Sequence, residues 1–417
     1  MDIWRIRGGH TLTGACFVQG SKNASLPILA ASMLGPVETE LSNVPQLRDI
    51  DAALRILRHL GCVAEQRENE VYINANGVTR CAIPHKLMLE MRSSVIFMGA
   101  LLARCGEARL SPPGGCQLGK RPIDLHLSAL RQLGAVIEED GDEIICRAEK
   151  LRGTEISLPF PSVGATENIM LAAAAAEGET VIRGAAREPE IVALQDYLVK
   201  LGYEVSGAGS GTIRISKGQR RARIEHRVLA DRIVASTVAC AAAACGGSVE
   251  LRDVEPEHFS TVLHFLKQAG CDIIIRNRSV WIRSGGRLHG VSPVRTEPYP
   301  GFPTDAQPVL MAALLKARGR STITETIFEN RFRQVPELRR LGADITLRRQ
   351  SAEIWGVDSL RGTVLNATDL RGGAAMIVAG LSAEGETLVF DEGHIRRGYE
   401  HFDARLRALG ADICLDQ

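Results

Sequence analysis

One helix ending recurs six times along the chain, as LRHLG, LRQLG, LVKLG, LKQAG, LRRLG and LRALG. Its glycines, Gly61, Gly134, Gly202, Gly270, Gly342 and Gly410, fall 68–73 residues apart. Self-similarity at a fixed period marks repeated supersecondary units rather than chance recurrence of a helix stop. A second series, Gly35, Gly106, Gly178, Gly246, Gly319 and Gly385, interleaves with the first at spacings of 66–73 residues. Each unit therefore reads as a nearly all-apolar helix, a glycine stop, a short strand, an amphipathic helix, a second glycine stop and a strand such as ADITL or ADICL. A helix apolar on every side, as in Ile169 to Ala176 or Thr237 to Ala244, must be surrounded by protein, whereas the amphipathic helix covers a sheet. Three units enclose three inner helices, so six units predict two similar α/β domains. The expected division is 22–229 for the first three-repeat domain, and 1–21 with 230–417 for the second. On this reading the N-terminal strand pairs within the second half, the segment from Glu225 to Asp231 joins the halves, and ligands bind in a cleft between them.

Composition narrows the function classes. The 417 residues are 45% hydrophobic, enough for a sizeable core, and 50 basic against 49 acidic residues leave a formal charge of +1. No global field recruits nucleic acid or an acidic membrane, so an anionic ligand must be held by local placement. The first residues carry no apolar signal core, and the longest apolar run, Val238 to Cys245, is too short to span a bilayer, so a cytoplasmic protein is expected. Ten cysteines show neither a CxxC pair nor Cys/His ligand spacing, which argues against a disulfide framework and against a structural metal. Cys116 apart, they read as small, reduced core residues.

The starts of the apolar helices are polar: Ser21-Lys22-Asn23, Met91-Arg92-Ser93, Ser162-Val163-Gly164-Ala165-Thr166, Asp231-Arg232, Thr304-Asp305 and Thr368-Asp369-Leu370-Arg371. The amphipathic helices open with Arg48, Arg121-Pro122, Arg187-Glu188-Pro189, Glu255-Pro256, Arg331 and Arg397. Capping explains the serines, threonines and aspartates, but a cation at a helix N-terminus is unfavourable by a few tenths to about 1 kcal/mol unless it joins the helix in gripping an anion. Repeated placement of this kind points to an anionic substrate. Arg48 and Arg187 read as solvated surface groups, while Arg92 and Arg331 fit either role. In the loop Ser111-Pro112-Pro113-Gly114-Gly115-Cys116-Gln117-Leu118-Gly119-Lys120-Arg121, the glycines permit hinge motion and the cations favour a thiolate, which makes Cys116 the cysteine suited to chemistry. Asp305 could be an N-cap or a general base, and spacing by itself favours the cap. His126 reads as a supporting residue.

The segments SKNASLP (21–27), PPGGCQLGKRPIDLH (112–126), PSVGATENIM (161–170), GFPTDAQ (301–307), ETIFENRF (325–332), ATDLR (367–371) and RRGYE (396–400) together resemble the UDP-N-acetylglucosamine 1-carboxyvinyltransferases of the enolpyruvyl transferase family. The similarity runs in order along essentially the whole chain. It implies two inside-out α/β domains of three repeats each, and no metal or organic cofactor. It also implies that Lys22, Arg121 and Arg397 hold the phosphate and carboxylate of phosphoenolpyruvate, that Asn23 and Asp305 hold the sugar of UDP-N-acetylglucosamine, that Asp305 takes the proton of the 3-hydroxyl, and that Cys116 protonates the methylene carbon. Arg92, Arg121, Pro122, Ile123, Asp124, Leu125, Ser162, Val163, Gly164 and Ile327 would line the nucleotide-sugar site, with Arg331 beside it and Asp369 and Arg371 completing the closed cleft. Phe160, Val234 and Gln334 stand where the family carries lysine in some members, commonly an acidic residue, and histidine. The other readings are the sister synthase acting on shikimate 3-phosphate, an RNA 3'-terminal phosphate cyclase, against which the lack of basic excess speaks, and a non-catalytic paralogue that binds the nucleotide sugar.

Overall fold

A computed structural model describes residues 1–111, 123–141, 143–219 and 221–416, the side chains at 92 and 140 excepted. Contacts divide these into two units: a split unit made of 1–19 and 230–416, and an inserted unit made of 20–111 and 123–229.

In the inserted unit three apolar helices, Lys22–Ala31, Phe97–Cys105 and Val163–Ala173, pack against one another and bury almost all of their residues. Ser21 and Ser162 start two of them as N-caps, each side chain accepting from the backbone N–H three residues on. The split unit repeats the arrangement with Arg232–Cys245, Gln307–Ala313 and Leu370–Ser382. Burying both sides of so many alanines leaves no apolar stripe and no polar face, which is why these helices lack amphipathic periodicity.

Around each trio stand three four-stranded sheets that share one topology. In the first, Arg223–Arg227 runs parallel to Glu38–Ser42, followed by antiparallel Glu70–Asn74 and Val63–Arg67. The last strand of each of the first five repeats crosses over to become the parallel edge of a neighbouring repeat's sheet, as Ala82–Ile83 does beside Glu107–Leu110. The third repeat returns to the first through Arg223–Arg227, which the sequence reading took as part of a joining segment; each unit is thereby a closed ring. The split unit closes its ring with the N-terminus. Asp2–Arg7 lies between Glu386–Asp391 and Asp412–Asp416, and Leu12–Phe17 runs parallel to Gly247–Arg252.

The sequence reading allotted two strands to each unit, where four form. The additional ones include two-residue edges, Ala82–Ile83 and Val294–Arg295, too short for any period to register. The amphipathic helices appear as expected; in Arg48–Leu60, Ile50, Ala53, Leu54, Leu57 and Leu60 are buried while Arg48, Asp51, Arg55 and Arg58 are exposed. All six glycines that follow these helices have φ between 95° and 109°, the left-handed region where a side chain is strained, and this lets the chain leave the helix and turn into a strand.

Among the described cysteines Cys16, Cys62, Cys146, Cys240 and Cys271 are buried, but Cys105 is exposed at the end of its helix, contrary to the core reading. No helix among the described residues is long and apolar enough to cross a membrane.

Candidate active site

In the split unit two arginines singled out in sequence, Arg331 and Arg371, converge on Asp305. Its carboxylate accepts from Arg331 Nη2 at 2.7 Å through Oδ1, and from Arg371 Nε at 3.2 Å and Nη2 at 3.1 Å through Oδ2. Arg331 also donates from Nε to the Thr304 carbonyl at 3.2 Å. The two guanidiniums are 2% and 4% exposed, the carboxylate 28%, so Asp305 is the part of the cluster that meets solvent. Burial is the largest influence on Arg371 and disfavours its charge, but Asp305, Tyr399 and Asp231 together outweigh it and hold the pKa above the ordinary guanidinium value. Arg331 is therefore no solvated surface group, and Asp305 is no cap: it lies inside the turn Thr304–Ala306, and neither that turn nor the helix Gln307–Ala313 after it carries a side-chain cap bond.

Arg371 opens its inner helix, whose N-cap is Asp369, accepting from the N–H groups of Arg371 and Gly372 at 3.0 Å. Its guanidinium lies 5.5 Å from the centre of the Tyr399 ring, and the Tyr399 hydroxyl is 2.9 Å from that of Thr237. Arg397, half-buried, ends the turn Ile395–Arg397, which Asp391 caps by accepting from His394 N and Ile395 N. Gln19 brackets the following residues, donating to the Gly398 carbonyl and accepting from Glu400 N. Ile327 lies in the segment after Glu325, whose carboxylate accepts from Ile327 N at 2.8 Å. Within ETIFENRF, Glu325 carries no signal of a role in the sequence itself.

In the inserted unit Lys22 is the first residue of its helix, with Nζ 3.1 Å from Asp49 Oδ2. Asp49 is 2% exposed and went unremarked in the sequence, where only its neighbour Arg48 stood out. Asn23 follows, partly buried. A second cluster forms where two helices begin. Ile123, Asp124 and Leu125 open the helix that carries His126, and Ser162, Val163 and Gly164 open the third inner helix. His126 is buried, and its Nδ1 lies 2.7 Å from Asn168 Nδ2. Since the amide nitrogen must donate, Nδ1 accepts and the ring proton sits on Nε2; burial pushes the pKa down to about 4. Asn168 also donates to the Val95 carbonyl and accepts from Gly99 N at 2.7 Å, tying the second and third repeats together. A Cβ at Gly164 would stand 3.1 Å from His126 Cε1, so glycine is what lets the two helix starts approach. Burial, with Glu190 and Glu188 near, pushes the Glu167 carboxyl well above its usual range.

Of the remaining expectations, Cys116, Arg121 and Pro122 lie outside the described residues, as does the side chain of Arg92. Arg48 and Arg187 are exposed, as a solvated role requires. Among the unusual positions, Phe160 is exposed, Val234 is fully buried in its inner helix, and Gln334 is buried with its amide nitrogen 3.7 Å from Met311 Sδ. Among the described residues no group of histidine, cysteine and carboxylate side chains has the arrangement of a metal site.

The family model for EPSP synthase (3-phosphoshikimate 1-carboxyvinyltransferase) matches residues 6–406. Similar curated proteins include UDP-N-acetylglucosamine 1-carboxyvinyltransferase 2 of Caldanaerobacter subterraneus subsp. tengcongensis, 46% identical with 99% of both chains covered. Another is UDP-N-acetylglucosamine 1-carboxyvinyltransferase 1 of Symbiobacterium thermophilum, 48% identical over 98% of this chain and 94% of that one. Among solved structures, the enolpyruvyl transferase NikO from Streptomyces tendae superposes with a TM-score of 0.89 at 23% identity, covering 99% of this chain and 98% of that one. An EPSP synthase from Acinetobacter baumannii gives a TM-score of 0.78 at 22% identity over the full length of both.

Proposed function

Since the chain belongs to the EPSP synthase (3-phosphoshikimate 1-carboxyvinyltransferase) family, we infer that it moves the enolpyruvyl group of phosphoenolpyruvate onto the 3-hydroxyl of UDP-N-acetylglucosamine and releases phosphate. The observation that carries the choice of acceptor is the identity of 44–48% with relatives bearing that activity in their names, over nearly the whole of both chains. At 22% the likeness to EPSP synthase speaks for the fold and leaves the acceptor open.

The chemistry requires a base at the sugar hydroxyl, an acid at the methylene carbon, and fixed positive charge for an anion that is first bound and then expelled. Asp305 is the base on this reading. Its orientation rests on two buried guanidiniums rather than on solvent, which is the preorganisation that proton abstraction needs. As the hydroxyl oxygen attacks C2 of phosphoenolpyruvate, Asp305 takes its proton and Cys116 delivers one to C3. In the second step acid and base exchange roles: the Cys116 thiolate takes a proton back from the new methyl group, the C2–C3 double bond re-forms, and the C2–O bond breaks with its electron pair leaving on phosphate, which receives the proton held by Asp305. Lys22, Arg121 and Arg397 hold the phosphate and carboxylate throughout. Asn23, Arg92, Pro122, Ile123, Asp124, Leu125, Ser162, Val163, Gly164 and Ile327 bind the nucleotide sugar. Arg331, Asp369 and Arg371 set the geometry of the base. No cofactor enters the sequence of bonds.

The test is phosphate release from phosphoenolpyruvate with UDP-N-acetylglucosamine, with shikimate 3-phosphate in a parallel reaction and Cys116→Ala as control. Release with the nucleotide sugar and not with shikimate 3-phosphate, abolished in the variant, is the expected result. Release with shikimate 3-phosphate instead would overturn the acceptor assignment, and silence in both from folded protein would favour a non-catalytic nucleotide-sugar binder.

A further inference from the structure

Glu325 follows the strand Arg320–Thr324, is 1% exposed, and its carboxylate accepts four hydrogen bonds from neutral donors. Oε1 accepts from Thr296 Oγ1 at 2.9 Å, from Ile327 N at 2.8 Å and from Phe328 N at 3.1 Å. Oε2 accepts from Thr304 Oγ1 at 2.9 Å. One buried carboxylate thus binds three chain segments: the strand end at Thr296, the turn that carries Asp305, and the segment that carries Ile327, Phe328 and Arg331. Arg331 closes the loop from the other side, reaching the Thr304 carbonyl and the Asp305 carboxylate. Thr304 is held by its side chain to Glu325 and by its backbone to Arg331, so the position of Asp305 is determined twice.

We propose that Glu325 is a positioning residue for the transfer reaction: it sets where the Asp305 carboxylate stands relative to Arg331, and by the same atom pair it sets the backbone of Ile327. The inference rests on the reading above that Asp305 takes the sugar proton. A buried carboxylate is costly to desolvate, and here hydrogen bonds to four neutral donors offset that cost. Four donors arriving from three directions need acceptors on both oxygens, which a carboxylate supplies and an alcohol or amine does not. Glutamine is the informative substitute. Its carbonyl oxygen can keep the three bonds of Oε1, and its amide nitrogen can donate to the Thr304 hydroxyl, reversing one bond without breaking the loop.

The experiment uses the full chain with Glu325→Ala, Glu325→Gln and Thr304→Val, read by kcat, by KM for each substrate and by amide hydrogen exchange at 304–306 and 326–331. In Glu325→Ala, a displacement of Asp305 on the order of 1 Å predicts a fall in kcat of about 100-fold with the KM for phosphoenolpyruvate unchanged. Glu325→Gln should recover most of that loss. Thr304→Val cuts the Oε2 link and should lower kcat while leaving exchange at 327 and 328 at the wild-type rate. Glu325→Ala that folds with unchanged kcat overturns the proposal, as does a fall in activity accounted for by loss of folded protein. If wild-type protein releases no phosphate, the functional reading fails and exchange still decides the positioning claim. Faster exchange at both segments in Glu325→Ala supports it, and faster exchange at 326–328 without 304–306 overturns it.

Discussion

Replacing Asp305 by alanine tests the physical account of the site independently of its chemistry. The substitution removes three charge-assisted hydrogen bonds and leaves Arg331 and Arg371, 2% and 4% exposed, without the carboxylate that compensates them. Removing one partner of a buried ion pair costs about 3–5 kcal/mol, because the other charge stays behind in a poor solvent. Asp305 is itself 28% exposed, so water can enter the space it leaves, and the expected loss sits at the lower end, about 3 kcal/mol. For a unit of this size each kcal/mol moves the midpoint by about 2–4 °C, so thermal unfolding followed by circular dichroism should fall by roughly 6–12 °C. Adding Arg331→Met removes one of the stranded cations and should return part of the loss, so the double variant should be more stable than the two single effects added together. A midpoint for Asp305→Ala within about 2 °C of wild type, or strict additivity with Arg331→Met, would refute the claim that the carboxylate compensates buried guanidiniums.

Two buried histidines make stability depend on pH. Burial lowers the pKa of both His126 and His226 from 6.5 to about 4, so each is neutral in the folded state; stability is fully present above about pH 6.5 and drains away as pH falls toward 4, where only the unfolded chain takes up the proton. A shift of that size corresponds to about 3 kcal/mol for each group, and urea midpoints measured between pH 7 and 4 should show a fall that shrinks in His226→Leu. Gly164→Ala forces the His126 ring away from a Cβ that would stand 3.1 Å from it, so the KM for UDP-N-acetylglucosamine should rise while that for phosphoenolpyruvate holds; equal changes in both would place Gly164 outside the nucleotide-sugar site.

The repeat was legible because it rests on local signals: a glycine that turns the chain at each helix end, and helices with no polar face. What escaped the sequence are contacts closed by distant parts of the chain. Asp305 looks like a cap because Thr-Asp before a helix is capping chemistry, and the two residues that make it something else lie 26 and 66 positions away. Asp49 is invisible as the partner of Lys22, 27 residues off, since an aspartate in the first turn of a helix already has an ordinary explanation. Arg331 could not be told from a surface arginine, and His126 gave no sign of Asn168, 42 residues on. The short parallel edge strands were missed for a different reason: two residues contain no period, and only the neighbouring repeat makes them strands.

The ring closure by Asp2–Arg7 and Leu12–Phe17 imposes a schedule on synthesis at the ribosome. These strands emerge before the inserted unit, yet their partners, Gly247–Arg252, Glu386–Asp391 and Asp412–Asp416, emerge hundreds of residues later. The inserted unit holds all of its own strands between residues 38 and 227 and can complete its three sheets while the first two strands wait. A nascent chain stalled once residue 229 has cleared the exit tunnel should already protect the inserted unit from protease and leave residues 1–19 open to it, since closing so long a loop adds little entropy cost but cannot begin before a partner strand exists.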